Sequence, residues 1–169
     1  MRRFILVSVL ILLTFTSLFG QIRFGYIDSE KIRAEYREFQ AAQAQFDKEV
    51  SEWQAEAESL KAEVMKIQED YEKQALLLSD EKKREFEMRL RDKTQEYESF
   101  LAEIFSDSGK AQRKNVELTR PLLEKINEVL YELAEDEKLD VIFDIAGGGV
   151  AYARPGLDLT EKLLNRLNR

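Results

Sequence analysis

Cysteine and histidine are absent from all 169 residues of the chain. Disulfide bonds, thiolate nucleophiles, histidine bases and the commonest metal ligand of proteins are therefore excluded. Metal sites built from carboxylates alone use acidic residues clustered in a loop, whereas the acids here alternate with lysine and arginine along predicted helices. We therefore expect no cofactor, no bound metal and no small-molecule ligand.

Proline occurs only twice and glycine seven times, so few positions interrupt a helix.

Acidic residues outnumber basic ones, because the chain has 33 aspartates and glutamates against 26 lysines and arginines, which gives a formal net charge of −7. A chain of this charge is not expected to bind nucleic acid through its overall field, and it attracts anionic lipid only weakly.

Residues 1–20 have the composition of a secretory signal peptide. Two arginines precede an apolar stretch from Phe4 to Phe15, and Gly20 stands where cleavage before Gln21 is expected. An uncleaved membrane anchor is the alternative, but the stretch falls short of the ~20 residues that span a bilayer. We therefore predict that the mature chain is exported and that its leader is removed.

The most informative pattern is a helical repeat. Apolar side chains recur every three and four positions over residues 32–71, and a weaker stripe covers residues 86–104. A heptad repeat of this length predicts a long helix whose stripe is covered by another helix. A turn signal at residues 78–80 separates the stripes. We therefore predict a long antiparallel coiled-coil helical hairpin over residues 29–120, with its tip near residues 76–84.

Three positions decide how continuous these helices are. The first helix is predicted to run unbroken from residue 29 to about residue 78, since it contains neither proline nor glycine. In the return helix, Ser106–Gly109 is either a soft spot in a continuous helix or a hinge. Pro121 is expected to start a new helical segment and to move Arg120 out of helical geometry.

Both ends of the mature chain contribute to a small predicted body. Residues 22–27 and 139–145 are rich in β-branched and aromatic residues and predict two strands. The glycine triplet that follows should turn the chain so that residues 150–153 pair back as a hairpin. Helices over residues 122–137 and after Asp158 complete the body.

The predicted fold class is thus α+β and mainly α, with the hairpin projecting from a β-rich body of residues 21–28 and 121–169. A core of this size is marginal, and open strand edges favour pairing with other copies, so we predict a homo-oligomer. The residues expected to form this oligomerisation body are Ile22, Phe24, Tyr26, Val141, Ile142, Phe143, Ile145, Val150 and Tyr152.

No convergent catalytic site is apparent in the sequence. Asp140 and Asp144 share one face of a predicted strand, which indicates either a carboxylate pair for acid–base chemistry or the polar outer face of the sheet. The glycine triplet does not complete a dinucleotide-binding fingerprint, because Tyr152 stands where glycine is needed, and no P-loop lysine follows it. We therefore predict that the protein is not an enzyme.

Segments at both ends of the chain carry a family resemblance. Tyr26-Ile27-Asp28 follows the leader, and the C-terminal block contains Pro121-Leu122-Leu123, Leu139–Asp144, Val150–Ala153 and Asp158-Leu159-Thr160. In these segments the chain resembles the Skp/OmpH family of periplasmic chaperones. The resemblance implies a periplasmic homotrimer with three helical arms around a cavity. It also implies an ATP-independent holdase that binds unfolded outer-membrane proteins.

For a holdase, apolar residues outside the helix seam are the candidate client contacts. These are Leu76, Leu77, Met88, Leu101 and Phe105. The competing interpretation is that they fill the interface between helices. The alternative function is an exported coiled-coil structural or adaptor protein of the cell envelope.

A basic cluster marks the predicted tip of the hairpin. It consists of Lys73, Lys82, Lys83 and Arg84. Charge runs of this kind usually form a solvated helix start. The functional alternative is a weak contact of the tip with client charge or with a membrane surface.

Overall fold

The computed structural model describes residues 22–169, and the predicted signal peptide lies outside them. The described chain is mainly helical with one small sheet. Its elements in chain order are β1 (Phe24–Ile27), α1 (Ser29–Glu35), α2 (Arg37–Gln74), α3 (Asp80–Phe105), α4 (Lys110–Glu137), β2 (Val141–Asp144), a 3-10 turn (Pro155–Leu157) and α5 (Thr160–Leu167). Within residues 22–169, no helix has both the length and the apolarity needed to cross a bilayer.

The chain divides into two compact units. The body unit contains the described residues up to Ile32 together with residues 127–167, and the helical unit contains residues 33–126 together with Asn168. The body unit holds both strands and α5, whereas the helical unit holds α2, α3 and most of α4.

The sheet of the body unit is parallel and two-stranded. β1 pairs with β2 from Phe24 opposite Val141 to Ile27 opposite Asp144. On its other side β1 meets the segment before α5, where the Leu159 amide donates to the Tyr26 carbonyl at 2.8 Å. This contact gives β1 a second neighbour that is distant in sequence.

The predicted third strand, residues 150–153, is wrong, since the structure forms no strand there. The Gly148 amide closes a turn onto the Ile145 carbonyl at 3.1 Å. Gly148 and Gly149 then take φ angles of 78° and 95°. The resulting loop is longer than the two-residue turn that sets hairpin strands in register. Val150 and Tyr152 are therefore not part of the sheet.

The core of the body unit is built mainly from helix faces. Leu133 of α4 and Leu163 of α5 are fully buried, and Ile32 of α1 is nearly so. Gly25 makes room for this core, because a Cβ atom there would lie 2.5 Å from Leu159 Cδ1. Asp28 caps α1 and accepts hydrogen bonds from the amides of Glu30 and Lys31.

The predicted unbroken helix from residue 29 to about residue 78 is also wrong. The helix breaks at Tyr36, whose ψ angle is 113°, and α2 ends at Gln74. Asn168 joins the broken ends, since its Oδ1 accepts the Arg37 amide at 3.0 Å and its Nδ2 donates to the Glu35 carbonyl at 3.2 Å. The side chain that bonds both ends of the break lies more than 130 positions away, so local propensity does not reveal this contact.

The return path is interrupted at residues 106–109, which the sequence left open as a soft spot or a hinge, and it is continuous at Pro121, where a break was expected. Residues 106–109 leave helical geometry between α3 and α4. A Cβ atom on Gly109 would lie 2.4 Å from the Ile104 carbonyl oxygen, so this tight turn requires glycine. The prediction that Pro121 starts a new segment and displaces Arg120 is wrong, because Pro121 lies inside α4. Proline inside a helix costs about 3 kcal/mol. The rest of this long helix, in which Leu122 is buried, compensates for that cost.

Candidate functional site

Helices α2 and α3 contact each other through residues at matched distances from the turn between them. The rings of Tyr71 and Phe86 lie 5.9 Å apart. Lys93 Nζ lies 2.9 Å from Glu63 Oε2. Stripe residues of both helices are buried or half-buried, while most positions between them are exposed. We call these stripe residues the seam.

Lys93 is a charged residue at a position of the otherwise mainly apolar seam. Its ammonium lies 2.9 Å from carboxylate oxygens of both Glu96 and Glu63. The hydrogen bonds that the Lys93 ammonium donates to Glu96 and Glu63 raise the pKa of Lys93 to about 12. The charge in the seam is therefore matched by carboxylates from both helices.

A second lysine connects the return path to α2. Lys114 Nζ of α4 lies 3.0 Å from Glu49 Oε1. This hydrogen bond lowers the pKa of Glu49 and raises the pKa of Lys114. Both groups are therefore held in their charged forms around neutral pH.

The candidate client contacts are mostly exposed. The exposed fractions are 98% for Leu76, 89% for Leu77, 57% for Met88 and 41% for Phe105. Leu101 is half-buried. Except for Leu101, these side chains have apolar surface that the helical unit does not cover.

Sequence reasoning missed three further exposed apolar residues of the helical unit. These are Met65, Val116 and Leu123, which are 60%, 36% and 51% exposed. Met65 stands directly beside the seam residue Val64, and Met88 lies two positions after Phe86. Counting heptad positions would have found Met65, because an apolar residue outside the seam is not needed to join two helices.

The tip cluster is only partly neutralised. Lys73 pairs with Glu69 at 2.5 Å and Lys82 pairs with Glu85 at 2.6 Å. Among residues 22–169, neither Lys83 nor Arg84 forms an ion pair. The Ser79 hydroxyl caps α3 and accepts the Lys82 amide at 3.4 Å. The basic cluster therefore lies on both sides of the turn that contains Leu76 and Leu77, at the end of α2 and the start of α3.

In the body unit, one face of the sheet is apolar and open. Phe24, Val141 and Phe143 are 47%, 40% and 49% exposed. The rings of Phe24 and Phe143 meet edge to face at 6.3 Å. The opposite face of β1 presents Gly25 and Ile27 to the core. A sheet this small with an uncovered aromatic face is typical of an interface.

The other members of the predicted oligomerisation body lie in this sheet or in other segments of the body unit. Ile22 and Tyr152 are 68% and 82% exposed, and Val150 is 38% exposed. Tyr26, Ile142 and Ile145 are half-buried. Burial and the nearby Asp158 carboxylate raise the pKa of Tyr26.

Asp140 and Asp144 hold the two ends of β2 in place. The Asp140 carboxylate accepts the Arg23 amide at 2.8 Å. Asp144 Oδ1 accepts the amides of Ser29 and Ala146, both at 3.1 Å. These backbone bonds give both carboxylates a structural role that the sequence analysis did not anticipate. Within the described part of the chain, no group of three or more acidic side chains is arranged to hold a metal ion.

Comparison with protein families gives the decisive match. The family described as Outer membrane protein (OmpH-like) matches residues 23–167. The chain belongs to the OmpH-like family. The match includes both strands and all five helices, so the OmpH-like region contains the entire body unit apart from its outermost residues.

The fold of this OmpH-like chain is similar to a solved crystal structure. That structure is of a protein from Caulobacter crescentus assigned as an outer membrane chaperone (OmpH-like), with a TM-score of 0.74 and 11% sequence identity. The similarity covers 88% of this chain and 85% of the other. A comparison with curated proteins finds no match.

Proposed function

We propose that this protein is an exported, ATP-independent chaperone that holds unfolded outer-membrane proteins in the periplasm. The observation that carries the proposal is the apolar surface of the helical unit. Its seam is already occupied by α2 and α3, yet Leu76, Leu77 and Met88 are more than half exposed. Apolar side chains exposed on the helices and at the turn between them offer an apolar partner several weak contact points.

Multipoint binding suits a chaperone that uses no nucleotide. Each exposed side chain contributes little, so no single contact traps the client. Several contacts acting together raise the total affinity through effective concentration. Unfolded barrel proteins expose alternating apolar side chains along their strands, which matches a dispersed surface better than one deep pocket does.

The proposed assembly is a homotrimer joined through the body unit. The open sheet face of Phe24, Val141 and Phe143 supports this part of the proposal, because apolar sheet faces of small domains need a cover. The helical hairpins of α2 with α3 and α4, wound as coiled coils, would then bound the space for the client. The basic tip, with Lys83 and Arg84 outside any ion pair among residues 22–169, is proposed as a weak contact with a membrane surface or with client charge.

Light scattering tests the function. A urea-denatured outer-membrane barrel is diluted into buffer with and without the mature protein, which we expect to suppress aggregation at near-stoichiometric amounts. A variant with serine at Leu76, Leu77, Met88 and Phe105 should suppress it several-fold less well.

The matched control places serine at four exposed polar positions of α2 and α3, namely Gln54, Glu58, Glu87 and Gln95. It should behave like the wild type. Unchanged aggregation at several-fold excess of the wild-type protein would reject the holdase. Selective binding of one folded partner would favour an envelope adaptor instead.

A further inference from the structure

Sulfur is scarce in this chain and confined to methionine. The sequence has three methionines and no cysteine. Met1 belongs to the predicted leader, so Met65 of α2 and Met88 of α3 hold the two sulfur atoms of residues 21–169. In proteins that contain cysteine, thiols compete with methionine thioethers for oxidants. This chain has no cysteine, so its thioethers have no such competitor.

Both thioethers are accessible. Met65 is 60% exposed and Met88 is 57% exposed. Each lies inside a regular helix and outside the seam. An oxidant therefore reaches either sulfur without opening the contact between α2 and α3.

Oxidation changes what these side chains can bind. A peroxide transfers one oxygen atom to the sulfur, which gives up two electrons, while the O–O bond breaks and the other oxygen leaves as water. The product, methionine sulfoxide, is polar and chiral where the thioether was apolar and adaptable. Since neither side chain supports the seam, the helices should keep their structure.

We propose that Met65 and Met88 form an oxidation-sensitive pair that weakens client binding when peroxide converts them to sulfoxides. The inference rests on the proposed holdase function and adds regulation to the same surface. On this proposal Met65 is a client contact in addition to Met88. Two separated sulfoxides remove two of the weak contacts on which multipoint binding depends.

The test uses the mature protein treated with hydrogen peroxide, and its matched control is the double variant Met65→Leu, Met88→Leu. Leucine keeps the apolar character and the helix propensity of methionine but cannot be oxidised at sulfur. Peptide mass mapping should find one added oxygen on each of Met65 and Met88. Circular dichroism should show unchanged helix content.

In the light-scattering assay, the amount of treated wild type needed for half suppression should rise about threefold or more. The treated Leu variant should match its untreated form, and a methionine sulfoxide reductase should restore the wild type. Equal suppression before and after oxidation would overturn the inference, as would an equal loss in the Leu variant or a loss of helix. If the untreated wild type fails to suppress aggregation, the proposed function fails first and the inference falls with it.

Discussion

Lys114 Nζ lies 3.0 Å from Glu49 Oε1, and Lys93 Nζ lies 2.9 Å from Glu63 Oε2. The two glutamates are fourteen residues apart on α2, whereas the two lysines are twenty-one residues apart along the return path. The return path therefore carries one extra heptad. Because the difference is a whole heptad, the lysines keep equivalent helical positions on either side of the turn at residues 106–109.

This relationship predicts that seven residues can be removed without disturbing the pairing. Deletion of Ser106–Gln112 should join α3 to α4 as one helix and retain both ion pairs. We expect helix content by circular dichroism to rise per residue. The free energy of unfolding should stay within about 1 kcal/mol of the wild type or increase, because a glycine turn is lost.

A four-residue deletion provides the control. Removing only Ser106–Gly109 shifts the phase of every later residue, so Lys114 no longer faces Glu49. We expect this variant to lose ~2 kcal/mol or more through the misplaced apolar side chains. Equal stability of the two deletions would show that the heptad count is coincidental.

Alkaline pH should destabilise the helical unit. The pKa of Lys93 is about 12 against an ordinary value of 10.5, because Glu96 and Glu63 hold its ammonium. Burial and the hydrogen bond to Glu38 raise the pKa of Tyr36 from 10.0 to about 12. Both groups bind their proton more tightly in the folded protein than in the unfolded chain. Their contribution to the free energy of unfolding is therefore complete below their ordinary pKa values and is lost as the pH rises through about 12.

Urea unfolding followed from about pH 9 to pH 12 measures this loss. The double variant Lys93→Met, Tyr36→Phe lacks both groups and should show a flatter dependence over that range. Tyrosinate absorbance should show one phenol of the wild type ionising together with unfolding. The same slope in the wild type and the double variant would contradict the assignment.

Asn168 should stabilise the break at Tyr36. Its side chain accepts the Arg37 amide and donates to the Glu35 carbonyl. Asn168→Ala should therefore cost about 1 kcal/mol in thermal or urea unfolding. Asn165→Ala is the matched control, since Asn165 is exposed on α5, and it should leave stability unchanged. A similar cost in both variants would place the effect in α5 and not at the break.

The open sheet face predicts how the body unit associates. Phe143→Asp places a charge on the apolar face without entering the core, because Phe143 is 49% exposed. We expect sedimentation equilibrium to give a mass of three chains for the wild type and of one folded chain for the variant.

Tyr131→Asp tests whether any exposed aromatic residue of the body unit would have this effect. Tyr131 is 70% exposed and lies on α4, outside the sheet, so the variant should remain trimeric. If the wild-type protein sediments as one chain at micromolar concentration, the proposed homotrimer is wrong.

The parts of the fold that sequence predicted are those encoded by neighbours in the chain. The apolar stripe of α2 follows from local spacing. Local side-chain chemistry narrows the cap of α1 to Asp28 or Ser29 and the cap of α3 to Ser79 or Asp80, and the structure uses Asp28 and Ser79. The break at Tyr36 could not be predicted this way, because Asn168 lies at the other end of the sequence. The parallel bridge between Tyr26 and Asp158 could not be predicted from local pattern either, because the two residues lie near opposite ends of the sequence.

The candidate site divides along the same line. The position of Leu76, Leu77, Met88 and Phe105 outside the seam predicts their exposure, and the structure leaves them exposed. The same position predicts exposure for Leu101, but Leu101 is half-buried. Exposure depends on which helix covers a position, and spacing along one helix does not determine that cover.

The stoichiometry of the client complex tests the central claim most directly. The mature protein is mixed with a urea-denatured outer-membrane barrel during dilution, and the complex is weighed by sedimentation or native mass spectrometry. The account predicts one unfolded barrel bound to three chains, with the barrel still lacking sheet structure. A barrel that aggregates without forming any complex, or a complex that forms only with the folded barrel, would contradict it.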